Sequence, residues 1–231
     1  MATETINLMG SIRSEWISGE LKRPPKKTAP FITIARQPGA GGRTMARVLA
    51  ERLNEEARQN EQWRMYDREL VEKVAEDHEL STRMVESLED SSHNWLRGVL
   101  HAWLNPREPS ELAVFHRVAA TVRALAEGGR AIIVGRGSVF LTRDLPAGLH
   151  VYLVAPFDDR VERMAQKWNL STDATATKLR ELEQYRNEYY ERHFSTKPFV
   201  PETFTITINT ADISPEQAAD IVVPAVAALK S

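Results

Sequence analysis

At 231 residues with 42% hydrophobic content, the chain is long enough for one packed core carrying an inserted lobe. A net charge of −2 lacks the basic excess that nucleic acid would favour, and no cysteine is present for disulfides or thiolate metal sites. No apolar run approaches the ~18 residues that span a bilayer, and the charged start is unlike a secretory signal, so a cytoplasmic protein is expected.

Residues 1–20 place Ile6, Leu8, Met9, Ile12 and Trp16 on one side of a short helix, a stripe that offers a homodimer contact. Residues 21–30 hold two adjacent prolines and four basic residues and read as a solvated linker. From residue 31 an alternation of strands and helices begins. The run 31–35 is short, apolar and β-branched, as a buried strand requires. A glycine-rich turn, 36–42, follows, and then a helix over about 43–58 with Met45, Val48, Leu49 and Leu53 on one side. Residues 63–66 suggest a second strand, and helical spacing resumes at Leu70, Val71 and Val74.

The segment 80–110 is irregular, with Trp95 and Trp103 on broken helices. A strong helix spans 111–127 and stops at Gly128 and Gly129. Strands follow at 131–134 and 150–154, a basic, tyrosine-rich helical region at 158–193, and a fifth strand at 204–208. The last helix opens with Ser214, Pro215 and Gln217, which together suit a capping box. This pattern predicts a five-stranded parallel sheet with helices on both faces and a helical lobe. Ligands of such sheets bind beyond the carboxyl ends of the strands, here after Ala35, Val134 and Val154.

Gly39, Ala40, Gly41 and Gly42 supply the small residues that a phosphate cradle needs between a strand and a helix N-terminus. Against the pattern G-x-x-x-x-G-K-[ST], Gly42 takes the second glycine, Arg43 the lysine position and Thr44 the cation-ligating hydroxyl position. Gln37 stands where the first glycine belongs, and arginine replaces the compact lysine with a planar fork. The turn is either a phosphate cradle or a glycine-rich βα turn with no ligand.

The stretch from Ile32 to Arg43 resembles the opening of the cytidylate-kinase-like proteins, a branch of the nucleoside monophosphate kinases whose loops read S-R-Q-x-G-S-G-G-R. Tyr66-Asp67-Arg68-Glu69-Leu70 resembles the branch's Y-D-x-E-L segment, and Ile133-Val134-Gly135-Arg136 its V-G-R strand end. Tyr185 to Tyr190 is similar to its R-x-x-Y-Y pattern, and Ile208-Asn209-Thr210 to its last strand. The resemblance implies the P-loop kinase fold over 31–231, an acceptor lobe at 65–128 and a lid at 158–195. It implies ATP with Mg²⁺ as donor and cofactor, and CMP or dCMP as the leading acceptor. Other small hydroxylated acceptors, or a nucleotide-binding regulator with little turnover, are the alternatives.

On that reading Arg43 and the loop amides at 39–42 hold the donor's phosphates and Thr44 binds Mg²⁺. Arg36 lines the acceptor's phosphate or pairs with a surface carboxylate. Asp67 holds the acceptor's sugar or base, caps a helix, or does both. Arg136, between two glycines, grips a phosphate in preference to bridging the sheet top with a salt bridge. Arg186, then Arg160 and Arg163, are the lid arginines expected at the transferring group. Tyr189 and Tyr190 are expected to pack. No acid follows the third strand, where many related kinases organise Mg²⁺, and the six histidines show no zinc spacing.

Overall fold

The structure is a computed structural model and describes residues 29–55, 57–58, 61–77 and 111–229. The expected N-terminal helix, most of the linker, the dimer contact and the irregular segment with Trp95 and Trp103 lie outside the described residues. Five strands form one parallel sheet: β1 (Phe31–Arg36), β2 (Arg64–Tyr66), β3 (Ala131–Val134), β4 (Gly148–Val154) and β5 (Ile206–Asn209). Their order is β2-β3-β1-β4-β5, so β1 is central and its loop opens at the middle of the carboxyl edge.

Side chains alternate across β1. Ile32 and Ile34 face a layer made by α1 (Gly42–Asn54) and the C-terminal helix, with Met45, Leu49, Ala218 and Val222 against them. Phe31 faces the opposite layer, made by α2 (Arg68–Glu76), α3 (Glu111–Gly128) and the short α4 (Ser138–Thr142). Both faces of the sheet's centre are covered, which is why β1, β3 and β4 read as mostly apolar runs instead of alternating ones. The described parts of the expected acceptor lobe, α2 and α3, are thus integral to the second core layer.

The helical region at 158–193 is two helices, α5 (Phe157–Trp168) and α6 (Thr172–Phe194). Asn169 ends α5 in the left-handed conformation at φ +53, and Ser171 Oγ accepts from Ala174 N at 3.3 Å to start α6. The last helix, α7 (Pro215–Ala227), has the expected capping box: Ser214 Oγ accepts from Gln217 N at 3.2 Å and Gln217 Oε1 from Ser214 N at 2.9 Å. Helix α1 ends at Asn54, short of the expected 58. Asn54 turns out of the helix to clamp both backbone groups of Trp63, at 2.6 and 2.9 Å, and so leads the chain into β2.

One buried cation belongs to the scaffold. Arg123 is 1% exposed on α3, pairs bidentately with Asp144 at 2.9 and 2.8 Å, and donates to Leu141 O at 3.0 Å, fixing α4 to α3.

His150 on β4 is buried beside Thr33, with Thr33 Oγ1 and His150 Nδ1 2.8 Å apart. Burial pushes its pKa down from 6.5 to about 4. Above pH 6.5 the folded and unfolded chains bind the same protons at this site. As pH falls from 6.5 towards 4 only the unfolded chain protonates it, so stability drops. The expected loss between pH 7 and pH 5 is about 2 kcal/mol from this group. Urea midpoints at the two pH values check it: His150→Asn flattens the difference, and an equally steep loss in the variant excludes His150 as its source.

Candidate active site

The glycine turn after β1 is held from below. Gln37 N donates to Leu153 O at 3.0 Å, and Gln37 Oε1 accepts from Ala155 N at 3.0 Å, locking the turn to the end of β4. A glutamine at this position is therefore a tether. Gly39 and Gly41 have φ of +83 and +80, and a Cβ at Gly39 would press on Arg160 and Met164 at 3.1 Å. Helix α1 then begins with no acid in its first turn and no side-chain cap. Its first amides are left facing outward, as an anion site requires.

Arg36 leaves the end of β1 and crosses this helix start. A Cβ at Gly42 would meet Arg36 Cγ at 2.9 Å, and one at Gly135 would overlap the guanidinium. Glycines at 42 and 135 therefore make the slot for the arginine. Burial, with Arg186 and Arg136 nearby, lowers its pKa to about 10, so it is charged at neutral pH. Among the described residues no carboxylate forms an ion pair with it.

Three further arginines converge on the same edge. Arg186 on α6 donates from Nη1 to Arg36 O at 2.7 Å and lies beside Tyr190, Tyr152 and Glu183. Arg136 stands at φ +59 between Gly135 and Gly137, both also left-handed, in a backbone strained for a non-glycine residue. It forms an ion pair with Glu72 of α2, while its Nε is buried without a hydrogen-bond partner. The cross-sheet salt bridge disfavoured on sequence grounds is therefore present, because α2 brings Glu72 over the strand end. Arg43, half-exposed, pairs with Asp67 Oδ2 at 2.7 Å, and Asp67 Oδ1 accepts from Leu70 N at 3.1 Å. Asp67 thus caps α2 and faces the loop at once.

Residues 31–212 match the sequence profile of the cytidylate kinase-like family. The chain belongs to the cytidylate kinase-like family. A cytidylate kinase of Sulfolobus acidocaldarius is 31% identical over 74 residues, covering 32% of this chain and 41% of that protein. A uronate isomerase of Corynebacterium glutamicum is 28% identical over 148 residues, covering 59% of this chain and 28% of that protein. The chain therefore spans less than half the length of these two relatives. An uncharacterized protein from Eubacterium ventriosum superposes with a TM-score of 0.65 at 19% identity, over 87% of this chain and 99% of that one. The central β1, its glycine turn and the observed strand order are those of the P-loop kinase fold.

Within this family member the expected site residues divide by what their donors reach. Arg36, Arg136 and Arg186 share a crevice of about 120 Å³ with Arg68, Tyr185 and Tyr189. Arg43, in the first turn of α1, has a side chain 54% exposed. Thr44 faces a separate cavity of about 390 Å³ between the glycine turn and the end of β5, lined also by Gly41, Arg163, Thr210, Asp212 and Ser214. Arg160 lines neither crevice, and Arg163 lines the Thr44 cavity with its guanidinium turned onto backbone carbonyls. Arg160 is buried and donates to Ala155 O and Pro38 O, both at 3.0 Å, and to Glu183 Oε1 at 2.6 Å. Arg163 donates to Gly39 O at 3.0 Å and Thr210 O at 2.9 Å. Both brace loop carbonyls, so they position the turn.

Tyr189 and Tyr190 do pack. They join Phe115, Phe140, His193 and Phe194 in an aromatic cluster, and burial raises the Tyr189 pKa to about 12. Arg68, Glu72 and Thr210 escaped the sequence reading. Arg68 and Glu72 have the i, i+4 spacing of an ordinary solvated helix pair. Thr210 was findable, because it follows β5 at the carboxyl edge.

Proposed function

We propose that the chain transfers the γ-phosphoryl group of ATP to a nucleoside monophosphate, with CMP or dCMP as acceptor. The observation that carries this reading is Arg36: a partly buried cation, in no ion pair with a described carboxylate, between a helix N-terminus and two further arginines. Such a group is costly unless an anion completes it. A phosphate monoester, already deprotonated, needs no general base, and its oxygen attacks the γ-phosphorus in line as the bridge to the β-phosphate breaks.

Arg36, Arg136 and Arg186 hold the acceptor's phosphate. The loop amides and Arg43 hold the donor's phosphates, and Arg43 exchanges Asp67 for them. The cavity beside Thr210 and Asp212 takes the donor's nucleoside. Among the described residues no group of three His, Cys, Asp or Glu could hold a metal. The Thr44 hydroxyl, open to that cavity, and the phosphates themselves would hold Mg²⁺, where it would neutralise developing charge. No helix among the described residues is long and apolar enough to cross a membrane. The reading places the work in the cytoplasm, with nucleotides as partners, no nucleic acid, and a second copy met through the arm at 1–30.

Titration calorimetry tests the two subsites separately. Wild type binds ATP and CMP, and Arg43→Ala weakens ATP by at least tenfold, about 1.4 kcal/mol, while sparing CMP. Unchanged ATP affinity in that variant removes the loop from the donor site.

A further inference from the structure

Glu72 lies on α2 one turn after Arg68, and its carboxylate touches two arginines. It pairs with Arg136 across the sheet edge and accepts from Arg68 Nε at 3.4 Å. Arg136 is only partly satisfied by this contact, since its Nε remains buried without a partner. Arg36, alongside it, has no described carboxylate of its own.

The α2 carboxylates Asp67 and Glu72 differ in freedom. Asp67 caps its helix through Leu70 N at 3.1 Å, so the backbone fixes it. Glu72 is anchored through side chains alone and its side chain is 35% exposed. The oxygen that pairs with Arg136 is the one that Arg68 Nε reaches, so loss of the Arg136 contact leaves the Arg68 contact in place. Arg68, at 61% side-chain exposure, keeps the displaced carboxylate paired at the solvent edge.

The geometry points to Glu72 as an internal stand-in for the acceptor's phosphate. In the structure it neutralises Arg136. An arriving phosphate takes Arg136 together with Arg36 and leaves Glu72 to Arg68 alone. This rests on the acceptor's phosphate binding at Arg36 and Arg136, as proposed above. An intramolecular carboxylate competes at high effective concentration, so a ligand that engages a single guanidinium gains little. A phosphate that bridges two of them displaces it. Glu72 is thus a positioning residue that holds the crevice ready and sets the affinity at which it opens.

The test is inorganic phosphate titrated into the full-length protein by calorimetry, with melting temperatures at zero and saturating phosphate. Glu72→Gln binds phosphate about tenfold more tightly than wild type. It melts lower without phosphate, because Arg136 has lost its partner, and the gap closes at saturation. Glu72→Asp keeps the charge but falls a methylene short of Arg136, and it behaves like the glutamine variant. Wild-type affinity in the aspartate variant means that charge alone acts, and overturns the stand-in. Unchanged affinity with a melting gap that persists at saturation makes Glu72 a structural pair and overturns it too. Arg36→Met separates this from the proposed function. Phosphate affinity indifferent to Arg36 removes the acceptor site and the stand-in with it. Dependence on Arg36 with indifference to Glu72 removes the stand-in alone.

Discussion

Arg36→Met keeps the fold and lowers acceptor-dependent kcat/KM by roughly 10²–10³-fold, the usual scale for removing one charged group from a developing phosphoryl transfer. Methionine refills the slot between Gly42 and Gly135 and removes the charge. ATP affinity changes by less than about threefold, under ~0.7 kcal/mol, because the donor's phosphates are held elsewhere. Stability is unchanged or higher, because a partly buried cation in no ion pair with a described carboxylate costs folding free energy. Steady-state kinetics and a urea titration on the same preparation read both effects. A variant that is less stable but keeps wild-type acceptor kinetics would make Arg36 a scaffold residue.

Arg160→Met should fail in the opposite manner. Two loop carbonyls, Pro38 O and Ala155 O, lose their donor, and Glu183 loses its partner. Removing one side of such a buried network costs about 3 kcal/mol, at the low end of the usual range because Glu183 can reach water. The melting temperature falls, donor and acceptor KM rise together, and Arg160→Lys recovers little because a point charge cannot reach all three acceptors. If stability is untouched and kcat alone collapses, Arg160 is at the reacting group after all, where its position in the sequence first suggested it.

The sheet was legible because the three central strands β1, β3 and β4 are buried on both faces, and runs such as Phe31 to Ala35 and Ala131 to Val134 are almost wholly apolar. Caps were legible where the chemistry is local, as at Ser214 and Gln217. The break between α5 and α6 had a local signal in Asn169 and Ser171, but a long periodic run of charged residues masked it. The short α4 had none, since it depends on the left-handed Gly137 and on Arg123 reaching Leu141 O from 18 residues away.

Within the site, the loop glycines and Arg36, Arg43 and Arg136 follow from their place after a strand. Which arginines face a ligand does not. Arg160 and Arg186 sit on neighbouring helices with similar sequence surroundings, yet one reaches Pro38 O and Ala155 O and the other Arg36 O. That difference is set by how α5 and α6 cross the sheet edge, which spacing along a single helix cannot encode. The partnership of Arg136 with Glu72 likewise joins residues 64 apart.

The most direct measurement is ADP release by the wild-type chain with ATP and Mg²⁺, offered CMP, dCMP, UMP, AMP, GMP and a set of small hydroxylated metabolites. The account predicts selective turnover with CMP or dCMP and its loss in Arg36→Met. Silence across the panel, with ATP still bound in calorimetry, would contradict it and leave a nucleotide-binding protein that does not transfer phosphate to these acceptors.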